Sequence, residues 1–220
     1  MDRLPFPVRC VVLVLGMCLA ALGIALITNA DMGTTPITSL PLAVNAVYPL
    51  SVGTYTVLLN ALFVLLEKVI LGPHFSRANV LQLPPVFLFG FFIDMWMHLS
   101  GGILLLPYAE RLCILAAGIV VLAFGILLQV ACNLVVQPGE GIVLALAFRT
   151  RRNFGNLKVM VDAGMVVSAA LLGLICLGHI VGIREGTLLS ASLTGFCIRG
   201  LGALLHRLCP RLFHPVGQRS

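Results

Sequence analysis

Asp31, Thr34, Thr35 and Thr38 crowd around Pro36, and that grouping is the sequence's clearest offer of chemistry. Proline suits the first position of a helix because the N–H it lacks would be unpaired there anyway. A helix opening at Pro36 presents its remaining free N–H groups and the positive end of its dipole, which suits an anion or a carboxylate. The threonines add hydroxyls, while Asp31 beside them argues for a zwitterion, an amine or a proton. Gln137-Pro138-Gly139-Glu140 repeats the arrangement later in the chain, with Glu140 as the acid. The competing reading for both turns is helix capping, in which threonine, glycine and an acid are ordinary choices. On the ligand reading, replacing Asp31 or Pro36 impairs activity more than replacing Arg184 or Arg219.

Asp94, Asp162 and Arg199 join Glu140 as ionisable residues inside apolar stretches. Each costs about 2.5 to 3.5 kcal/mol near the centre of a membrane helix and so needs a partner or a purpose. Asp162 stands four residues after Lys158, a spacing that lets the two meet on one helix face. It is also the counterpart of Asn60 in the internal repeat described below, which makes the two candidates for a polar pair at a substrate or proton site. Asp94 and Arg199 lie near the ends of their segments, beside Trp96 and His98 in the first case, and read as interfacial anchors or as a mutual pair. The single histidines His98, His179 and His206 have no second ligand one turn away, so no metal is expected. The seven cysteines form no C-x-x-C pair. No motif of a hydrolase, a metalloprotease or a nucleotide-binding loop is present, so neither an enzyme nor a cofactor is expected.

The elements holding these residues follow from composition. Of 220 residues, 60% are hydrophobic and 10% charged, against about 25% charged in soluble domains, too few to cover a water-facing surface. Apolar runs of about 20 residues recur, the length that crosses a ~30 Å hydrocarbon layer as helix. They are apolar all round rather than alternating, which makes helices the better reading than a β-barrel. The expected fold is an all-α polytopic membrane protein. Six long segments lie at about 8–28, 52–71, 79–98, 112–132, 156–178 and 183–206, and two short ones at about 36–48 and 138–148. The first long segment exceeds a secretory signal core and is taken as retained. A dozen helical residues cover about 18 Å, so the short segments are half-helices or re-entrant. The net charge of +6 has no basic helix or aromatic patch beside it, so nucleic acid is not an expected partner.

Laid on itself with a shift of 102, the chain matches Gly16, Gly23, Pro36 and Gly53 to Gly118, Gly125, Pro138 and Gly155. After a three-residue slip Gly90–Asp94 matches Gly195–Arg199. A single membrane domain, 1–220, therefore consists of repeat 1 (about 8–98) and repeat 2 (about 112–206).

Gly-Ile-Ala-Leu-Ile-Thr-Asn-Ala-Asp-Met-Gly-Thr-Thr-Pro at 23–36, followed by Ser51-Val52-Gly53-Thr54, resembles the YczE/YyaS/YitT group of bacterial membrane proteins. The likeness covers nearly the whole chain and implies a bacterial inner-membrane protein. The second repeat departs from it: Asn133 replaces the acid and Val135 the glycine.

With six crossings and the N-terminus inside, eleven Lys and Arg residues fall on the cytoplasmic side and two, Arg111 and Arg184, outside. Both termini are then cytoplasmic and the second repeat is inverted, an arrangement known from transporters. If the short segments also crossed, the repeats would be parallel. The expected function is a small transporter or permease-like protein for a small polar or amphipathic metabolite. The alternatives are a membrane-embedded regulatory or assembly factor, and a substrate-binding subunit that needs a partner. The bilayer, a small-molecule ligand, and a homodimer or membrane partner are the expected associations.

Overall fold

A computed structural model describes residues 5–208; Arg3, Cys209, Arg211 and Arg219, which enter the charge and cysteine arguments, lie outside the described residues. Every regular element among them is helical: α1 (Phe6–Asn29), α2 (Pro36–Val47), α3 (Val52–Leu71), α4 (Arg77–Val80), α5 (Leu83–Leu99), α6 (Tyr108–Cys132), α7 (Pro138–Thr150), α8 (Phe154–Leu177) and α9 (Glu185–Leu208), with short 3-10 turns at Gly72–His74 and Gly101–Leu105. Seven of the eight expected segments are single helices, while the long one expected at about 79–98 is broken at Leu81 and Gln82 into α4 and the 17-residue α5. Five helices are long and apolar enough to cross a membrane, while α2 and α5 are apolar but shorter. Local chemistry sets the boundaries. Pro5, Pro107 and Pro138 stand at helix starts, Ser51 accepts from Thr54 N at 3.1 Å, and Asn153 accepts from Gly155 N at 2.8 Å. Asn133, Arg151 and Gly178 end α6, α7 and α8 in the left-handed conformation.

The described chain divides into two compact units. The first comprises residues 5–33, 95–134 and 184–208, and the second 34–94 and 135–183.

In the first unit α1 packs along α6, and α9 packs along α6 as well. The α1–α6 contact is made by glycines. A β-carbon on Gly16 would lie 2.9 Å from Gly125 O, and one on Gly23 would lie 2.7 Å from Gly118 O. Moving forward along α1 from Gly16 to Gly23 thus moves backward along α6, so the two helices are antiparallel. Small residues let the backbones approach this closely, as in membrane helix packing generally. The ends are tied in matching fashion. At one end Arg9 donates to Cys132 O at 2.8 Å and Asn133 O at 2.7 Å, and at the other Arg111 donates to Ala30 O at 3.3 Å. Each guanidinium meets the carbonyls left unpaired at a helix C-terminus, where a cation also complements the dipole. Arg9 and Arg111 are themselves 102 residues apart.

In the second unit α2 packs on α8, α3 on α7, and α2 and α7 each touch the long helix that follows them. The core is Phe63, Ile142, Val143, Leu157 and Met165, with Ile37, Leu40, Leu59 and Val161 against it. The short helices are therefore buried elements: Ile142, Val143 and Ala145 of α7 and Ala43 and Pro41 of α2 are inside. By contrast α8 exposes Val159, Leu171 and Ile175, and α9 of the first unit exposes Leu188 and Phe196. Unbroken apolar exteriors of this kind suit lipid rather than water.

Candidate functional site

The starts of the two short helices meet inside the second unit. A β-carbon on Gly139, the second residue of α7, would run into the side chain of Ile37, the second residue of α2. Pro41 sharpens this junction: it has no N–H to give the Ile37 carbonyl, so α2 leaves an acceptor unpaired by its own helix there.

On the α2 side Thr34, Thr35 and Thr38 are buried together. Thr34 and Thr38 hydroxyls lie 3.0 Å apart, Thr35 and Thr38 are in closer contact, and Thr38 Oγ1 also donates to Thr35 O at 3.2 Å. Ser39 Oγ donates to Pro36 O at 2.6 Å. These hydroxyls bond to one another and to the first turn of α2, so they line the helix start as a linked group.

On the α7 side Glu140 is half-buried and lies within electrostatic reach of Lys158 and Asp162 of α8. Lys158 Nζ donates to Asp162 Oδ1 at 2.7 Å, the i,i+4 pair that the spacing implied. The group of two acids and one amine therefore carries one formal negative charge beside a helix N-terminus. Asn60 is buried but donates to Thr56 O, one turn back in its own helix, and no hydrogen bond joins it to Asp162.

Asp31 belongs to the first unit. It sits at φ 52° just past α1, half-exposed, and Arg184 grips it through both the backbone oxygen, at 2.7 Å, and Oδ2, at 2.9 Å. Arg111 Nη1 approaches the same carboxylate at 3.7 Å. Gly186 N donates to Met32 O at 2.7 Å, and a β-carbon on Gly33 (φ 128°) would fall 2.6 Å from Thr187 N, so the start of α9 is seated on this loop. Arg184 is thus the ion-pair partner of Asp31, so replacing either residue breaks the same contact.

Asp94 and Arg199 lie in different units and each is engaged within its own. Asp94 accepts from Ser51 Oγ at 2.6 Å and Gly53 N at 2.7 Å, capping the start of α3, where Gly53 and Gly90 bring α3 and α5 close enough for the reach. Arg199 lies over the Phe196 ring at 4.9 Å and donates to Gly195 O.

Sequence reasoning passed over Glu67. It is fully buried near the end of α3, and its Oε2 accepts from Asn79 at 2.9 Å and Gln82 at 3.1 Å. A signal was available: Lys68 is the next residue and so points to another helix face, leaving an acid in an apolar run without a partner at i+3 or i+4. Among the described residues no group of three or more His, Cys, Asp or Glu is placed to hold a metal ion.

Against known families, the model of DUF6198, a family of unknown function, matches residues 7–202. The chain belongs to the DUF6198 family. Over 206 residues it is 25% identical to a protein of Bacillus subtilis (strain 168) called uncharacterized protein YyaS, covering 93% of this chain and 92% of that one. The match is in keeping with the YyaS part of the resemblance noted above. No solved structure matches. The DUF6198 match takes in both short-helix starts, Asp31 and Glu67, so all the residues discussed here lie within the family's extent.

Proposed function

We propose that this DUF6198 protein is a small inner-membrane transporter or permease-like protein built as an inverted repeat, with its solute site where α2 and α7 begin. The observation that carries the reading is the meeting of two proline-started short helices at Ile37 and Gly139, with the threonine group on one and Glu140, Lys158 and Asp162 beside the other. Paired broken helices whose N-termini face an interior site recur in secondary transporters.

The inverted arrangement is favoured over the parallel one by the antiparallel packing of α1 on α6. Corresponding helices of parallel repeats run the same way, whereas those of inverted repeats run opposite ways. The exchange of partners in the second unit, α2 with α8 and α3 with α7, is what a two-fold relation between repeats produces. In this reading six helices cross and both termini are cytoplasmic.

The cargo that fits is a small polar or amphipathic metabolite with an amine or zwitterionic head. Thermal stabilisation of the detergent-purified protein across a panel of amino acids, amines and carboxylates tests this, because a ligand that binds the folded state raises its stability. At a hundredfold excess over Kd the gain is about 2.7 kcal/mol. The expected result is a shift with an amine or zwitterion that disappears in Glu140→Gln and Asp162→Asn. A shift that persists in both variants would place the ligand elsewhere.

A further inference from the structure

Glu67 and Gln82 present a hydrogen-bonding arrangement that lacks one hydrogen. Oε2 of Glu67 already accepts two N–H groups, from Asn79 and Gln82. Oε1 accepts none, and neither does Oε1 of Gln82, although both oxygens are buried. The two face one point: a β-carbon built on Gly141 would lie 3.2 Å from Gln82 Oε1 and nearer still to Glu67 Oε1. Two acceptors turned on the same small space repel unless a hydrogen or a cation stands between them. Turning the Gln82 amide over does not remove the conflict, because its oxygen would then face Glu67 Oε2 instead.

We propose that Glu67 is a proton-binding site: it is a carboxylic acid in the folded protein, and its Oε1–H is donated to Gln82 Oε1. With Gln82 Nε2 donating to Glu67 Oε2, the acid and the amide close a ring of two complementary hydrogen bonds. Oε2, with two donors, is the carbonyl oxygen of the acid, and Oε1 is its hydroxyl. Asn79 from α4 fixes which oxygen plays which part. The absence of a side chain at Gly141 leaves room for the ring against α7.

The surrounding charges leave Glu67 to this ring. Lys68 follows it on another helix face, Asp94 caps the opposite end of α3, and His74 packs on the Phe148 ring. Glu140 precedes Gly141, and Arg149 lies in the last turn of α7. The hydrogen-bond partners of Glu67 among the described residues are Asn79 and Gln82 alone. The inference stands on these residues and does not depend on the transport reading.

Infrared spectroscopy of the purified protein at pH 7 tests it directly. The expected spectrum contains the carbonyl stretch of a protonated, hydrogen-bonded acid, sensitive to deuterium exchange and absent in Glu67→Gln. That variant keeps its melting temperature within about 2 °C, since its amide reproduces the neutral ring, whereas Glu67→Ala melts lower. Should Glu67→Gln fail to accumulate, Gln82→Ala serves instead, because it leaves the acid in place and moves the band by removing its acceptor. A wild-type spectrum with no protonated-acid band, or a band indifferent to both substitutions, overturns the proposal. So does stabilisation of the wild type, but not of Glu67→Gln, by sodium chloride over choline chloride, which would make the site one for an alkali cation.

Discussion

Replacing Gly23 by leucine is expected to remove folded protein from the membrane, while Gly164→Leu leaves its amount unchanged. A β-carbon at Gly23 would stand 2.5 Å from Leu122 N and 2.7 Å from both Gly118 O and Leu122 Cα, all backbone atoms of α6. No rotamer change relieves such a contact, so α1 and α6 must separate. Overpacking against movable side chains costs typically about 1–3 kcal/mol. Here the cost exceeds that range and consumes much of the roughly 5–15 kcal/mol of a folded domain. Gly164 meets nothing within 4 Å and therefore accepts a side chain. Size-exclusion profiles of detergent extracts check this, and a monodisperse Gly23→Leu peak of wild-type height would refute the close approach.

Lys158→Met carries the second large effect. Lys158 holds Asp162 at 2.7 Å and acts on Glu140 as well, so its removal leaves two acids together without a cation. Removing one partner of a buried pair costs about 3–5 kcal/mol. The Lys158 and Asp162 side chains retain 31% and 26% of their exposure, and water screens part of that loss. A decrease of about 1–2 kcal/mol is expected, which lowers the melting temperature by about 2–8 °C for a chain of this size. Lys158→Met combined with Asp162→Leu regains part of it, because the uncompensated acid is gone as well. A single variant that melts with the wild type would reduce the Lys158–Asp162 pair to a surface contact. The ligand-response assay then separates packing from binding: Asp162→Asn keeps the fold yet loses the shift.

Much of this fold is legible in the sequence because its signals are long and repeated. Apolar runs mark the long helices and proline starts mark α2 and α7, and the 102-residue shift picks out the glycines that bring α1 and α6 together. What that shift does not reveal is direction, since a glycine match is the same whether its helix runs up or down. Three-dimensional contacts supply the direction, through Gly16 on Gly125 and Gly23 on Gly118.

The site was legible in part. Pro36, Pro138, Glu140 and Asp162 share the second unit, as their composition invited. Asp31 belongs to the first unit, where Arg184 and Arg111 approach its carboxylate in the loop after α1. The arginines themselves, 153 and 80 residues further along the chain, give no local sign of that pairing. Glu67 was hidden for the opposite reason, because an acid beside a lysine reads as the wet end of a helix.

The proposed inverted repeat requires α2 and α7 to begin inside the bilayer and to leave by the side they entered. Single cysteines placed in a cysteine-free background at Leu50, Gly102, Asn133 and Arg152, and probed with a membrane-impermeant thiol reagent on intact cells and on lysed cells, test this directly. With an inverted repeat Leu50 and Gly102 label from outside, and Asn133 and Arg152 label only after lysis. Labelling of Asn133 and Arg152 from opposite sides would mean that α7 crosses the membrane, and would contradict both the inverted repeat and the interior site built on it.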